Sequence, residues 1–138
     1  MRILIVLCAY ALLSGCVGAT IPVENHNALT VPQSAWKTQN YRAAGENTGV
    51  FKLQRDTAMR GSACKPFISL DGENIAQIDV GQKLELHLNA GPYLVRASPN
   101  HNCAATTVET VVEINEGYTT IYRLGFVDRE MILIPAAQ

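Results

Sequence analysis

Gly81-Gln82-Lys83-Leu84-Glu85-Leu86-His87-Leu88-Asn89-Ala90-Gly91-Pro92-Tyr93 decides the fold class. Leu84, Leu86 and Leu88 recur at every second position, with Lys83, Glu85 and His87 between them. A period of two is that of a strand with one buried face. His87 then falls on the wet face between charges, as a surface residue and not a catalyst. Asn89 to Pro92 reads as a turn, and Tyr93 to Ser98 as the next strand. The same grammar extends in both directions. Upstream, Phe51 and Leu53 oppose Lys52 and Gln54. Pro66 to Leu70 runs into Asp71-Gly72, a hairpin signal because both turn positions need positive φ, and Asn74 to Val80 returns. Downstream, Pro99 to Ala105 is an irregular loop holding Cys103. Val108, Thr110, Val112 and Ile114 then face inward against Glu109 and Glu113. Asn115-Glu116-Gly117 turns the chain, and Tyr118, Thr120, Tyr122 and Leu124 share a face. Asp128-Arg129 turns it again before a last apolar strand, Met131 to Ile134, ended by Pro135. These seven or eight short strands, without helix-period runs, predict an all-β domain over residues 49–138: a small antiparallel β-sandwich or barrel.

The N-terminus carries a different signal. Met1-Arg2 precedes an apolar run of 11 residues, Ile3 to Leu13. A spanning helix needs about 20 residues, so this run suits the core of a signal peptide, residues 1–15. It ends in Leu13-Ser14-Gly15-Cys16, which resembles a bacterial lipobox. That resemblance implies a thiol of Cys16 carrying diacylglycerol, cleavage before Cys16 and acylation of the new amine. The membrane is then a partner through the lipid on Cys16. Val17 stands where an Asp would be expected for inner-membrane retention by enteric sorting rules, which favours the outer membrane. Residues 16–48 hold Pro22, Pro32, Gly18 and Gly45 without a sustained apolar period, and read as the lipidated cysteine and an extended tether. Trp36 and Tyr41 interrupt the tether. Two readings stand for them: packing back on the domain, or anchoring a partner.

Composition fits one exported domain. The chain has 138 residues and a formal net charge of −1. Without the leader the balance is ten basic against twelve acidic residues. No clustered basic excess points to nucleic acid. A hydrophobic share of 48% against 17% charged excludes a wholly disordered chain. Cys8 leaves with the leader, and Cys64 and Cys103 remain. In an oxidising compartment two cysteines read as one disulfide, closing a loop worth about 4 kcal/mol in the chain-entropy model. The rivals are two free buried thiols, or a metal site built on His101 and Cys103. A structural zinc site wants four ligands, and Cys64, His26 and His87 are poor candidates to complete one.

Catalytic motifs are missing from the sequence: no Gly-x-Ser-x-Gly, P-loop, Gly-x-Gly-x-x-Gly or His-Glu-x-x-His. Ser62 near Lys65 suggests a Ser/Lys pair, but nothing supplies a convergent site, and a polar loop beside the disulfide is the simpler reading. Asp71, Glu73 and Asp79 read as turn and strand-end acids, with too few oxygen ligands at regular spacing for calcium. Arg96 and Arg123 sit within strands, where each pairs with an acid across the sheet or snorkels from its edge. No catalytic residue, metal or cofactor is expected.

From Gly61 to Pro135 the chain resembles a family of small bacterial envelope lipoproteins with an immunoglobulin-like domain similar to PEGA-type β-sandwich modules. Gly61-Ser62-Ala63-Cys64, Ile68 to Gly72, Ile75-Ala76, Gly81 to Leu88, Asn89-Ala90-Gly91, Tyr93, Cys103 and Ile121 to Leu124 carry the likeness. Pro92 departs from the family's turn. The resemblance implies no catalytic residues and a role in envelope interactions. The expectation is therefore a non-enzymatic envelope lipoprotein facing the periplasm, whose sandwich meets an envelope protein or cell-wall partner. The alternative is a soluble-ligand binder, or an inhibitor of a lytic enzyme such as lysozyme acting through the 99–106 loop.

Overall fold

The computed structural model describes residues 21–24, 26–58 and 61–136. Its strands are β1 (Leu29–Thr30), β2 (Thr48–Arg55), β3 (Phe67–Leu70), β4 (Glu73–Gln77), β5 (Gln82–Asn89), β6 (Gly91–Ser98), β7 (Val108–Ile114), β8 (Thr119–Val127) and β9 (Glu130–Pro135). One 3₁₀ turn, Gln33–Ala35, follows β1. Two sheets pack face to face. The larger has the order β1-β5-β2-β8-β9 and the smaller β4-β3-β6-β7.

The core lies between them. Leu84, Leu86 and Leu88 are buried, as their alternation requires. Phe51 and Leu53 of β2, Ile68 and Leu70 of β3, Val95 and Ala97 of β6, Val112 and Ile114 of β7 and Leu124 of β8 join them in one cluster. The Asp71-Gly72 turn has φ of 48° and 86°, the two positive values that a tight hairpin needs. It also hooks β6: Asp71 N–H donates to the Leu94 carbonyl (2.9 Å), and Asp71 Oδ1 accepts from Leu94 N–H (2.8 Å).

Two expectations need correction. The larger sheet is mixed, not antiparallel: β1 runs parallel to β5, and β2 parallel to β8. The cause lies in the turns. The Ala90 corner and the 115–118 turn do not close hairpins; each carries the chain from one sheet to the other. β8 thus enters the larger sheet beside β2, running the same way. Alternation fixes which face a residue takes, but not which strand lies next to it. The second correction concerns the tether. β1 pairs with β5, Val31 is in the core, and Trp36 and Tyr41 pack against it. The described part of residues 21–48 therefore belongs largely to the sandwich wall.

One glycine is fixed by close approach. At Gly49, β2 passes under the 115–118 turn, with Val50 N–H on the Tyr118 carbonyl (2.8 Å) and Gly117 N–H on the Thr48 carbonyl (3.1 Å). A Cβ there would collide with the Asn115 carbonyl oxygen.

Candidate functional site

Cys16 lies outside the described residues. Cys64 and Cys103 are joined in a disulfide, 39 residues apart in sequence. The bridge ties the segment before β3 to the loop between β6 and β7. That loop is pinned further: Lys65 N–H donates to Asn100 Oδ1 (3.1 Å), and Cys103 N–H to the Asn100 carbonyl (3.0 Å).

Beside the bridge runs a groove of about 270 Å³, lined by Gly61 to Cys64, Asn102 to Ala105, Phe126, Asp128 and Arg129. Beneath it lies a group that the sequence did not single out. Arg55 is 1% exposed. Its Nη1 donates to the carbonyls of Cys64 and Ile78 (3.1 Å to the latter), and Nη2 to the Gly61 carbonyl (2.6 Å). The guanidinium sits 5.2 Å from the centre of the Phe126 ring. Burial pushes its pKa down to about 10, against a smaller upward pull from Asp79. The next residue, Asp56, is also buried and takes a bidentate bond from Arg123: Nε to Oδ1 at 3.0 Å and Nη2 to Oδ2 at 2.6 Å. An Arg-Asp pair after an alternating run reads as the chain leaving for solvent, and no local signal marks it as interior.

A second cluster covers the outer face of β5. Arg42 stacks on Trp36 at 4.5 Å, and both border a groove with Thr30, Lys83, Glu85 and His87. Tyr41 accepts the His87 N–H on its carbonyl (2.7 Å), so His87 is half-buried under residues 41–42. Tyr41 and Asn40 reach across to β4. Asn40 Nδ2 donates to Glu73 Oε1 (3.0 Å), and the Tyr41 hydroxyl to Glu73 Oε2 (3.0 Å). The Asn40 bond, then the Tyr41 bond, hold the Glu73 carboxyl below its ordinary range. The bond to Glu73, then burial, raises the Tyr41 phenol. At Asp79 burial pushes upward, but Lys65 (2.9 Å) and the Val80 N–H (2.7 Å) outweigh it and the carboxyl is lowered.

A carboxyl depressed in the fold stabilises it above the unfolded pKa and loses that contribution as pH falls through the folded value. Acid below roughly pH 4 is therefore expected to free residues 36–42 from β4. Trp36 is the single tryptophan of the chain, so its emission reads this segment. Glu73→Gln should flatten the acid step. An unchanged step in that variant would locate the titration elsewhere.

The sequence candidates for chemistry are dispersed. Lys65 goes to Asp79, not to Ser62. Asp71 holds Leu94, Glu73 holds residues 40–41, and Asp79 holds Lys65. Arg96 pairs with Glu109 across the strands (Nε 2.9 Å, Nη2 2.8 Å). Among the described residues, no three His, Cys, Asp or Glu side chains converge as metal ligands. Comparison of the chain with protein-family models, with curated proteins and with solved structures gave no match.

Proposed function

We propose that this chain is a non-enzymatic lipoprotein of the bacterial cell envelope. It is anchored through acylated Cys16, faces the periplasm from the outer membrane, and presents its β-sandwich as an interaction module to an envelope protein or the cell wall. The observation that carries this reading is a disulfide-closed sandwich behind an apolar leader ending in Leu13-Ser14-Gly15-Cys16. Disulfides persist in exported compartments, and a lipid-bearing cysteine suits a domain held at a membrane surface. Asp71, Glu73 and the Lys65–Asp79 pair support the reading too, since they tie loops and strand ends together.

The test uses the full chain with a C-terminal tag in intact bacteria, beside Cys16→Ala. Labelled palmitate should enter the native chain and the chain should sediment with membranes, whereas Cys16→Ala should do neither. Crosslinking and mass spectrometry should then recover a stoichiometric envelope protein with the native chain only. Label entering both forms equally would overturn the anchor. Recovery of a soluble lytic enzyme alone would replace the module by an inhibitor.

A further inference from the structure

We infer that the outer edge of β7 is a strand-addition site for an extended partner segment with basic residues flanking an apolar one. This rests on the reading of the chain as an interaction module and names the surface that module uses.

Backbone bonding fixes which groups the edge offers. β6 sits between β3 and β7. Leu94 gives both its N–H and its carbonyl to Asp71, and Pro92 has no N–H to give. β6 therefore bonds β7 through Gly91, Tyr93, Val95 and Ala97, whose register partners are Ile114, Val112, Thr110 and Val108. The intervening residues, Glu109, Val111 and Glu113, turn their backbone groups outward. The Glu113 carbonyl points outward too but already accepts from the Thr120 hydroxyl (3.5 Å), so the groups left to a partner are mainly those of Glu109 and Val111. Side chains of the same three residues stand on the solvent face, with Val111 62% exposed.

The other edges are shorter or covered. β1 has two residues. β4 is met by Lys37 N–H on the Ile75 carbonyl (2.8 Å) and by a bridge from Trp36 to Ala76. β9 ends at Pro135, and Ala136 N–H on the Ile121 carbonyl sets a register that turns Met131 and Leu133 outward by backbone while their side chains fill the core. β7 is seven residues long and last in its sheet, with ladder bonding on its β6 side only, and such an edge invites another strand.

Charge selects the occupant. A second copy pairing antiparallel about Val111 would set Glu109 against Glu113 at both ends, and like charges directly opposite destabilise a strand pair. Arg96 offsets Glu109, so the edge keeps a net negative charge. A partner with Lys or Arg opposite Glu109 and Glu113, and an apolar residue opposite Val111, meets all three positions. Side chains on that partner would stand on the same face as these residues.

The test is a titration of the full-length chain in detergent with two synthetic peptides, one built on Lys-Thr-Val-Thr-Lys and one on Glu-Thr-Val-Thr-Glu. The basic peptide should bind about threefold tighter or better, chiefly through the charge pair with Glu113, since Arg96 already holds Glu109. It should slow amide exchange at Glu109, Val111 and Glu113. Val111→Pro should abolish binding, because it removes an edge N–H that the β6 ladder does not use. Glu109→Lys with Glu113→Lys should reverse the peptide preference, a readout that stands even where the proline variant folds poorly. Equal affinity for both peptides, or binding that survives in a folded Val111→Pro chain, would overturn the site. In cells, a partner that crosslinks only to other faces overturns the β7 assignment and leaves the module standing. Absence of any envelope partner at every face removes the module itself.

Discussion

Arg55→Ala is expected to cost about 3–5 kcal/mol of stability, from buried carbonyls that lose their donor and from the cavity left by the side chain. The side chain is almost wholly buried. Its compensation comes from the carbonyls of Gly61, Cys64 and Ile78 and from the face of Phe126. Truncation leaves those carbonyls without their donor and opens a hole against the Phe126 ring. Hydrogen bonds from charged donors contribute about 1.5–3 kcal/mol each, and orphaned buried acceptors cost more than the bonds gain. Arg55→Met fills the volume but supplies no donor. Arg55→Lys keeps the charge, yet one ammonium cannot span carbonyls that two Nη atoms serve. The expected order of loss is Ala, then Met, then Lys, read as urea midpoints with an unchanged slope. Gly61 has φ of 71° and its carbonyl is held by Nη2, so amide exchange in residues 61–64 should accelerate even in the Lys variant. A loss below about 1 kcal/mol for Ala, no more than an ordinary surface substitution, would mean that water replaces the guanidinium without cost.

Much of the sandwich is legible because its strands are half-buried. The leucines of β5, the Asp71-Gly72 turn and the 115–117 turn are each encoded within a few residues, so strand existence and facing follow from local pattern. Neighbour choice does not. Nothing in Thr119 to Leu124 states that β8 runs parallel to β2, because that depends on how two corners redirect the chain between sheets. Residues 31–42 follow the reading in part: Trp36 and Tyr41 pack back on the domain, one of the two readings open for them, but the segment is no extended tether. Val31, Trp36 and Tyr41 are too widely spaced to form a period, yet each finds its own socket on a sheet that exists only after folding. Arg55 and Asp56 are hidden because charge is read as exposure. Here the two Nη atoms of Arg55 are served by the carbonyls of Gly61, Cys64 and Ile78, and Asp56 by Arg123, 67 residues away. Arg96 is the contrasting case, since its partner Glu109 lies across an ordinary strand pair on the wet face.

Removing the disulfide is the other large effect. Cys64→Ser with Cys103→Ser, or reduction of the native chain, should cost about 2–5 kcal/mol, as for native bridges in small exported domains. The span of 39 residues encloses β3, β4, β5 and β6. Without the bridge, the unfolded chain regains the freedom of that whole stretch. A loss of about 4 kcal/mol lowers the melting temperature by about 10–20 °C in a domain of this size. The bridge and Arg55 grip the same segment: Cys64 gives its sulfur to Cys103 and its carbonyl to the guanidinium. Their effects should therefore not add. Once the bridge is gone, residues 61–64 are free to shift, and the carbonyls that Arg55 served can turn towards water. A double-mutant cycle between the serine pair and Arg55→Met should show about 0.5–3 kcal/mol of coupling, with the double variant less destabilised than the sum. Strict additivity would mean that the guanidinium holds its carbonyls independently of the bridge. The 61–64 segment would then owe its place to Arg55 and to the packing of Gly61 on Phe126, and the disulfide would act on the unfolded chain alone.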